Sequence, residues 1–347
     1  MANIIYGING EGSGHWTRSR EVVTYLQKSG HSVIIVASGQ ASANLKDGFR
    51  VEDIFGFRFE FKDGRVDGLA TFLKNTSSFS KGAKSLHKTL GFIKKEKVDL
   101  VITDFEPVSC LAGRIGGIPV VSIDNQHFIS RTDADYPRPY SSQARITKTA
   151  IEMMTRGADV YLALSFFDAE PKDDSTFTFP PIVRREVFYL DPKEGDYVLV
   201  YVTHGHKGIA EVLKTVDFRF VVYGTGDEEQ DGNITFRKFN SSQFLKDLAG
   251  SAGVIATAGF SLISEALFLG KPYLAWPVKN QFEQTFNAYH LERLGYGKFV
   301  SELGAEKIES FLFNLEGYRQ NLLSYNYQHE GNDKLFANLN RLIEKLV

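Results

Sequence analysis

The feature that most constrains the fold is a repeated alternation of short apolar runs with longer amphipathic segments. In the first half of the chain the apolar runs are NIIYGI, HSVIIVAS, DLVITD, PVVSID and DVYLAL. Strands that alternate with segments of helical length predict βαβ units and a parallel sheet. The segment FGFRFEFKDGRVDG interrupts this alternation with aromatic residues and a Lys-Asp-Gly-Arg turn, which predicts an inserted hairpin or irregular strand pair.

The alternation stops once and then begins again. It is absent from the proline- and charge-rich segment PKDDSTFTFPPIVRREVFYLDPKEGD. After this segment the apolar runs are YVLVYV, RFVVYG, ITFRKF, GVIATA and KPYLAW. A chain of 347 residues also suits two domains, because one domain typically has about 150 residues. We therefore predict an α/β fold of two Rossmann-like doubly wound domains, residues 1–185 and 186–325, that face each other across a cleft. Residues 326–347 are predicted to form a helix that packs back on the first domain.

Composition narrows the classes of function. The single cysteine, Cys110, excludes an internal disulfide, and no CxxC or HExxH spacing suggests a metal site. With 40 basic and 42 acidic side chains, no strong net charge favours nucleic acid as a partner. The N-terminal residues lack a secretory signal pattern, so we expect a cytoplasmic location.

In the second half, the segment ATAGFSLISEALFLGKPYLAWPVKNQFEQTFNA places several polar residues after predicted strands. Gly259 and Ser261 lie at a predicted strand-to-helix turn, where backbone N–H groups favour a diphosphate. Glu265 follows one turn later and suits the two hydroxyls of a ribose. Glu283 and Gln284 come after the next strand and could bind sugar hydroxyls. For AGFS alone, an ordinary turn between strand and helix is the alternative interpretation.

In the first half, the loop GEGSGH leads from the first strand into a helix. A dinucleotide site is not favoured, because the second strand, HSVIIVAS, ends without an acidic residue. His15 is a candidate general base, which would take the proton from a hydroxyl group of a substrate that accepts a transferred group. Asp104, at the end of a later strand, is the candidate partner that orients it. Glu106 is the competing carboxylate, and either acid could instead cap the helix that begins at Pro107.

The second-half pattern resembles the donor-binding signature of GT-B glycosyltransferases, notably the MurG type of peptidoglycan synthesis and the UDP-glycosyltransferases of plants and animals. That signature reads G-G-x-S/T-x-x-E-A-x-x-x-G-K/V-P, then a strand that ends in Pro, then D/E/Q-Q-x-x-N-A. The matching residues are Gly259, Ser261, Glu265, Ala266, Gly270, Lys271, Pro272, Pro277, Glu283, Gln284, Asn287 and Ala288. Ala258 departs from the first glycine of the signature. The run GEGxGHxTRS is similar to that of an archaeal and bacterial subgroup of MurG-like proteins.

The resemblance implies roles for these and a few further residues. Gly259 and Ser261 would contact the diphosphate, Glu265 the ribose, and Glu283 with Gln284 the donor sugar. The remaining positions implied in the donor site are Thr203 and His204 in the loop after the first strand of the second half, Phe239 in the base-binding loop, and Arg184 at the hinge. A polar surface loop for Thr203 and His204, and a solvated side chain for Arg184, are the alternatives.

We therefore expect a glycosyltransferase that moves a sugar from a nucleotide diphosphate donor, a UDP-sugar by resemblance, to an acceptor hydroxyl. Transfer is expected to invert the anomeric carbon without a metal ion, and the donor is a co-substrate rather than a cofactor. A nucleotide-sugar epimerase of the same architecture and an inactive nucleotide-sugar-binding protein are the alternatives.

Two further features bear on the acceptor. The residues that end the fourth strand, Asp124 to His127, are expected to contact it. A lysine-rich amphipathic helix is either a solvated face or a peripheral contact with anionic lipid, which would suit a lipid-linked acceptor. Its lysines are Lys81, Lys84, Lys88, Lys94, Lys95 and Lys97.

Overall fold

The computed structural model describes residues 1–56, 79–203, 208–325 and 332–347, together with the backbone of short strands at 61–62 and 65–66. The chain divides into two compact units. The first comprises Met1–Glu60, Asp67–Ile182 and Glu330–Val347, and the second comprises Phe61–Val66 and Val183–His329. The division at Ile182 therefore falls inside the proline-rich segment in which the strand–helix alternation stops.

The first unit is built on a seven-stranded parallel sheet. The strands of this part of the chain are β1 (Asn3–Ile8), β2 (Ser32–Ala37), β3 (Val51–Asp53), β4 (Phe61–Lys62), β5 (Arg65–Val66), β6 (Leu100–Asp104), β7 (Val120–Asp124), β8 (Val160–Leu164) and β9 (Thr176–Phe179). The sheet order is β3-β2-β1-β6-β7-β8-β9, and β1 pairs with both β2 and β6. Strand order thus reverses between β1 and β6, and ligands of doubly wound sheets bind at the carboxyl ends of such strands.

β4 and β5 form a separate antiparallel pair, with Phe61 opposite Val66 and Lys62 opposite Arg65. This pairing confirms that the inserted segment contains a pair of strands. The remaining residues of that segment, 57–60, 63–64 and 67–68, lie outside the described part of the chain.

Helices follow most strands of the first unit. They are α1 (Ser13–Lys28), α2 (Gly39–Leu45), α3 (Phe79–Lys95), α4 (Pro107–Gly116), α5 (Gln126–Arg131) and α6 (Ser141–Met154). The lysine-rich helix α3 packs Leu86, Leu90 and Ile93 against the core. Its apolar side is therefore covered by protein, and its lysines are exposed. None of the helices within the described ranges is long and apolar enough to cross a membrane.

The second unit contains another seven-stranded sheet. Its strands are β10 (Tyr197–Tyr201), β11 (Arg219–Tyr223), β12 (Glu229–Asp231), β13 (Ile234–Arg237), β14 (Gly253–Ala256), β15 (Tyr273–Ala275) and β16 (Gly297–Phe299). The order is β12-β13-β11-β10-β14-β15-β16, and every pairing is parallel except that of the edge strand β12 with β13. Strand order reverses here between β10 and β14. The helices are α7 (Ile209–Lys214), α8 (Ser241–Gly250), α9 (Phe260–Phe268), α10 (Phe282–Arg293), α11 (Ala305–Phe313) and α12 (Leu315–Leu322).

The last helix, α13 (Asp333–Leu346), belongs to the first unit. The ring of Phe336 stacks on that of Tyr25 in α1, with the ring centroids 4.3 Å apart. The side-chain amide of Asn340 donates to the Tyr25 hydroxyl at 2.6 Å. Leu335, Leu339 and Ile343 are buried at spacings of four residues, which gives α13 one apolar face.

Candidate active site

His15 and Asp104 meet at the switch point of the first sheet. The loop after β1 passes through Gly12, whose φ of 81° is one that glycine adopts without strain, and α1 then begins at Ser13. His15 therefore lies in the first turn of α1, with 13% of its side chain exposed. Asp104 is the last residue of β6, and its Oδ1 lies 2.8 Å from Nδ1 of His15.

The Asp104 carboxylate is fully buried and has several partners. Arg18 donates to it from Nε at 2.7 Å and from Nη2 at 2.5 Å, and the Ser19 hydroxyl donates at 2.9 Å. Burial alone would raise the pKa of Asp104, but the positive charge of Arg18 and the contact with His15 lower it below its ordinary value. Asp104 is thus held as a carboxylate beside the histidine.

The Nδ1 atom of His15 lies between two groups of opposite hydrogen-bonding type. It is 2.8 Å from Asp104 Oδ1 and 2.8 Å from Arg18 Nη2. A carboxylate only accepts and a guanidinium only donates. A proton on Nδ1 would accompany the Asp104 hydrogen bond and leave Nε2 with the lone pair that a general base needs, whereas a lone pair on Nδ1 would accompany the Arg18 hydrogen bond.

Glu106 has a different role from Asp104. It is the N-cap of α4, where its carboxylate accepts from the backbone N–H groups of Val108 at 2.9 Å and Ser109 at 2.6 Å. Burial raises the pKa of Glu106 above its ordinary value despite these hydrogen bonds. Of the two acids proposed from the sequence, the structure places Asp104 against His15 and gives Glu106 the capping position.

The glycine-rich loop after β1 packs closely against the residues that follow β2. A Cβ atom on Gly10 would lie 2.6 Å from the Ser38 carbonyl oxygen, and one on Gly56 would overlap the Ser38 side chain. Ser38 is itself buried. These glycines let the loops after β1, β2 and β3 approach one another at the carboxyl edge of the sheet.

The prediction that the end of β7 contacts an acceptor is wrong for Asp124 and His127. Both are 1% exposed, and the His127 Nδ1 lies 2.7 Å from Asp124 Oδ2. The His127 Nε2 lies 3.0 Å from the Thr155 hydroxyl, so both ring nitrogens have protein partners. Contact with His127 lowers the pKa of Asp124 to about 2 against the opposing effect of burial. This pair is a buried polar contact that an acceptor does not reach.

At the switch point of the second sheet lie the residues predicted to hold a diphosphate. Gly259 is the N-cap of α9 and, as a glycine, has no side chain that could cap that helix. The Thr203 hydroxyl, just after β10, lies 3.3 Å from the Thr257 hydroxyl, just after β14. Ser261 is half-buried in the first turn of α9. The prediction for His204 lies outside the described residues.

Glu265 is buried in α9 and paired with Arg184. Arg184 Nε and Nη2 donate to the two Glu265 oxygens at 2.5 and 2.6 Å, in a bidentate arrangement. Arg184 Nη1 also donates to the Ser241 hydroxyl at 3.1 Å. The acid predicted to bind a ribose and the arginine predicted at the hinge are therefore direct partners in this structure.

The remaining predicted donor residues lie on α10 and after β13. The side-chain oxygen of Gln284 accepts from the Val278 backbone N–H at 2.9 Å, which ties α10 to the loop after β15. Glu283 is half-buried in the first turn of α10. Phe239 is 57% exposed, and its ring centroid lies 5.5 Å from that of Phe244.

Sequence reasoning missed Arg18 and Ser19 as parts of the first site. One signal was available, because Arg18 follows His15 by three residues and such pairs share a face of a helix. Within the described residues, no group of three or more His, Cys, Asp or Glu side chains is arranged to hold a metal ion.

Solved glycosyltransferases share this fold over nearly the whole chain. UGT2 of Phytolacca americana, solved with UDP-2-fluoro-glucose and pterostilbene, superposes with a TM-score of 0.71 at 15% identity over 99% of both chains. MurG of Acinetobacter baumannii superposes with a TM-score of 0.66 at 20% identity, covering 99% of this chain and 100% of that one. The two Rossmann-like units are thus those of the GT-B glycosyltransferase fold.

Sequence comparison gives the family. A glycosyltransferase of Methanosarcina acetivorans is 24% identical in an alignment 330 positions long that covers 86% of this chain and 85% of that relative. Glycosyl transferase family 1 matches residues 2–316. The chain belongs to this family and is a glycosyltransferase.

Proposed function

We propose that this glycosyltransferase moves a sugar from a nucleoside diphosphate sugar to an acceptor hydroxyl with inversion at the anomeric carbon. The observation that carries the proposal is the His15–Asp104 pair at the carboxyl ends of β1 and β6, with a separation of 2.8 Å. A partly exposed histidine with a buried carboxylate behind it is suited to accept a proton from a hydroxyl.

In the proposed reaction the acceptor oxygen forms a bond to the anomeric carbon while the bond from that carbon to the diphosphate oxygen breaks. The hydroxyl proton moves to Nε2 of His15, and the leaving nucleoside diphosphate takes the bonding electron pair. Asp104 accepts from Nδ1–H, orients the ring and stabilises the imidazolium that forms.

The second unit would bind the donor. Backbone N–H groups in the first turn of α9, after Gly259, favour a diphosphate through hydrogen bonding and the helix dipole. Glu265 would accept from the ribose hydroxyls, and the exposed ring of Phe239 offers a face for the base. Glu283 and Gln284 are proposed contacts of the donor sugar. Solved relatives hold UDP-2-fluoro-glucose and dTDP, and we propose UDP as the nucleotide here.

We propose no metal ion and no cofactor in this reaction, because the helix N-terminus can offset charge that develops on the diphosphate. We propose that the acceptor carries a hydroxyl group and that it is linked to a lipid. Contact of α3 with anionic lipid would depend on its lysines, since Leu86, Leu90 and Ile93 pack into the core. We propose action in the cytoplasm.

A thermal-shift panel of nucleoside diphosphates and nucleotide sugars tests the donor site. We expect one nucleotide to raise the melting temperature of the wild type, because selective binding stabilises the folded state. The shift should disappear in Glu265→Ala and persist in Glu309→Gln, whose side chain is exposed on α11. If no nucleotide raises the melting temperature, the donor-site assignment is wrong.

A second assay separates the proposed reaction from its alternatives. The selected nucleotide sugar is incubated with and without a panel of hydroxyl acceptors, and the products are followed by mass spectrometry and NMR. Acceptor-dependent transfer with inverted anomeric configuration supports the proposal. Conversion of the donor to its epimer without acceptor would indicate an epimerase, and binding with no turnover would indicate a binding protein.

A further inference from the structure

Asp247, on α8, is a buried carboxylate that receives hydrogen bonds from three elements of the second unit. It is 7% exposed, and its Oδ2 accepts from the Tyr223 hydroxyl at the end of β11 at 2.5 Å and from Arg237 Nη1 at the end of β13. Its Oδ1 accepts from Gln243 Nε2 at 2.9 Å. Burial and the neighbouring carboxylate raise the pKa of Tyr223, so its hydroxyl keeps the proton that it donates. The proposed function uses none of these four side chains.

The loop that carries Phe239 is fixed to α8 at both of its ends. This three-residue loop joins β13 to α8. Before the loop, Arg237 is held by Asp247. At the other end, Asn240 is the N-cap of α8, and its side-chain oxygen accepts from the Gln243 backbone N–H at 3.0 Å. Such a short loop between two fixed points leaves the backbone at Phe239 few alternative conformations.

The Phe239 ring packs on the apolar side of the same cluster. Its centroid lies 5.5 Å from that of Phe244, 6.2 Å from that of Tyr201 and 6.5 Å from that of Tyr223. Tyr223 also contacts Phe244 edge to face, at a centroid distance of 5.1 Å. Tyr223 therefore supports the Phe239 ring with its own ring and binds Asp247 with its hydroxyl. More than half of Phe239 is exposed, which leaves surface for a planar ligand.

We infer that Asp247 is a positioning residue that holds Phe239 in the orientation in which its ring stacks on the base of the bound nucleotide. The inference rests on the proposed function, which assigns the base to Phe239. A side chain that is already held in place loses less conformational entropy when the ligand binds, so the affinity for the base increases. Loss of Asp247 should therefore weaken recognition of the base and spare that of the diphosphate at the start of α9.

A merely structural carboxylate predicts a different result. Loss of a buried ion pair destabilises the fold wherever the pair lies, so lower stability alone does not support the inference. What distinguishes the positioning role is coupling between positions 247 and 239. If Asp247 acts through the Phe239 ring, its substitution should weaken nucleotide binding when the ring is present and have little effect when the ring is absent.

Calorimetric titration of the full chain with UDP and with inorganic pyrophosphate tests this coupling. Phe239→Ala should weaken UDP binding roughly 5- to 100-fold, the usual contribution of one stacked base. Asp247→Asn should weaken UDP binding roughly fivefold or more and change pyrophosphate binding by less than about twofold. In the Phe239→Ala background, Asp247→Asn should change UDP binding by less than about twofold. Asp217→Asn, at an exposed site before β11, is the control and should bind UDP as the wild type does.

Two results would overturn the inference. The first is an Asp247→Asn loss that is equally large with and without the Phe239 ring, and the second is an equal loss for UDP and pyrophosphate. If Phe239→Ala weakens UDP binding and Asp247→Asn does not, only this inference is wrong. If Phe239→Ala binds UDP as tightly as the wild type, the proposed base site is wrong, and the inference is wrong with it.

Asp247→Asn leaves Arg237 without its carboxylate and could fail to fold. Arg237→Met is then the second variant, because the Arg237 side chain is 34% exposed and Asp247 would still accept from Tyr223 and Gln243. It should show the same selective loss of UDP binding and the same coupling to Phe239→Ala. UDP binding equal to that of the wild type in Arg237→Met would reject the inference.

Discussion

Arg184 and Glu265 form a bidentate ion pair, with donor-to-acceptor distances of 2.5 and 2.6 Å, between the segment that opens the second unit and the middle of α9. Glu265 has 6% of its side chain exposed and Arg184 has 15%. Removal of one partner from a buried pair leaves the other charge uncompensated, which is costly. Any ribose bound at Glu265 must share this carboxylate with the arginine.

Arg184→Met is expected to lower the free energy of unfolding by roughly 3 kcal/mol, because Glu265 stays buried without its cation. The double variant Arg184→Met/Glu265→Gln should lose less than the sum of the two single variants. Urea denaturation of the four proteins measures this coupling. Additive losses would show that the pair contributes nothing as a pair.

His15→Ala is expected to lower the rate of transfer by roughly 10²- to 10⁴-fold, the usual contribution of a general base. The apparent affinity for the donor should change little, since His15 lies in the first unit and the proposed donor residues lie in the second. Steady-state kinetics with the donor from the thermal-shift panel measures both. His87→Ala, at an exposed site on α3, is the matched control. A His15→Ala rate equal to that of the control would exclude His15 as the base.

Gly10→Ala is expected to destabilise the first unit by about 1 to 3 kcal/mol, a typical cost of inserting a methyl group into a packed site. The new Cβ would lie 2.6 Å from the Ser38 backbone oxygen, which cannot move aside as a flexible side chain could. Gly48→Ala is the control, because a Cβ there meets no atom within 4 Å. Thermal unfolding of both variants measures the difference, and equal melting temperatures would contradict the tight packing of this loop.

Lys271 predicts a pH dependence of stability. It is 4% exposed, its ammonium donates to the Ser251 carbonyl at 2.9 Å, and burial lowers its pKa from 10.5 to about 8. The folded state therefore loses this proton at a lower pH than the unfolded state does. The contribution of this group to the free energy of unfolding should rise between pH 8 and 10.5, by up to about 3 kcal/mol.

Urea denaturation at pH 7.5 and pH 10 tests the effect. The rise should be present in the wild type and in Lys246→Gln, at an exposed site on α8, and smaller in Lys271→Met. The same rise in Lys271→Met as in the wild type would assign it to other groups.

Most of the fold could be predicted from the sequence, because a strand buried on both faces of a parallel sheet must be apolar throughout. Runs such as NIIYGI and GVIATA therefore mark strands without further information. The strand, turn and helix around Gly259, Ser261 and Glu265 could also be predicted, since these residues are neighbours along the chain and their spacing is fixed by one strand and one helix. The choice between Asp104 and Glu106 as partner of His15 could not be made from the sequence, because the two acids lie two positions apart at the end of the same strand.

The sequence by itself determined which residues become strands and helices, and that polar residues gather at the carboxyl ends of the strands. Only the tertiary structure decided which of them touch. His15 and Asp104 are 89 positions apart, and Arg184 and Glu265 are 81 apart. The first pair meets because strand order places β1 beside β6, and the burial of both pairs depends on packing that no local pattern encodes. Periodicity is a local property of the chain, whereas contact across a sheet depends on the order in which its strands assemble.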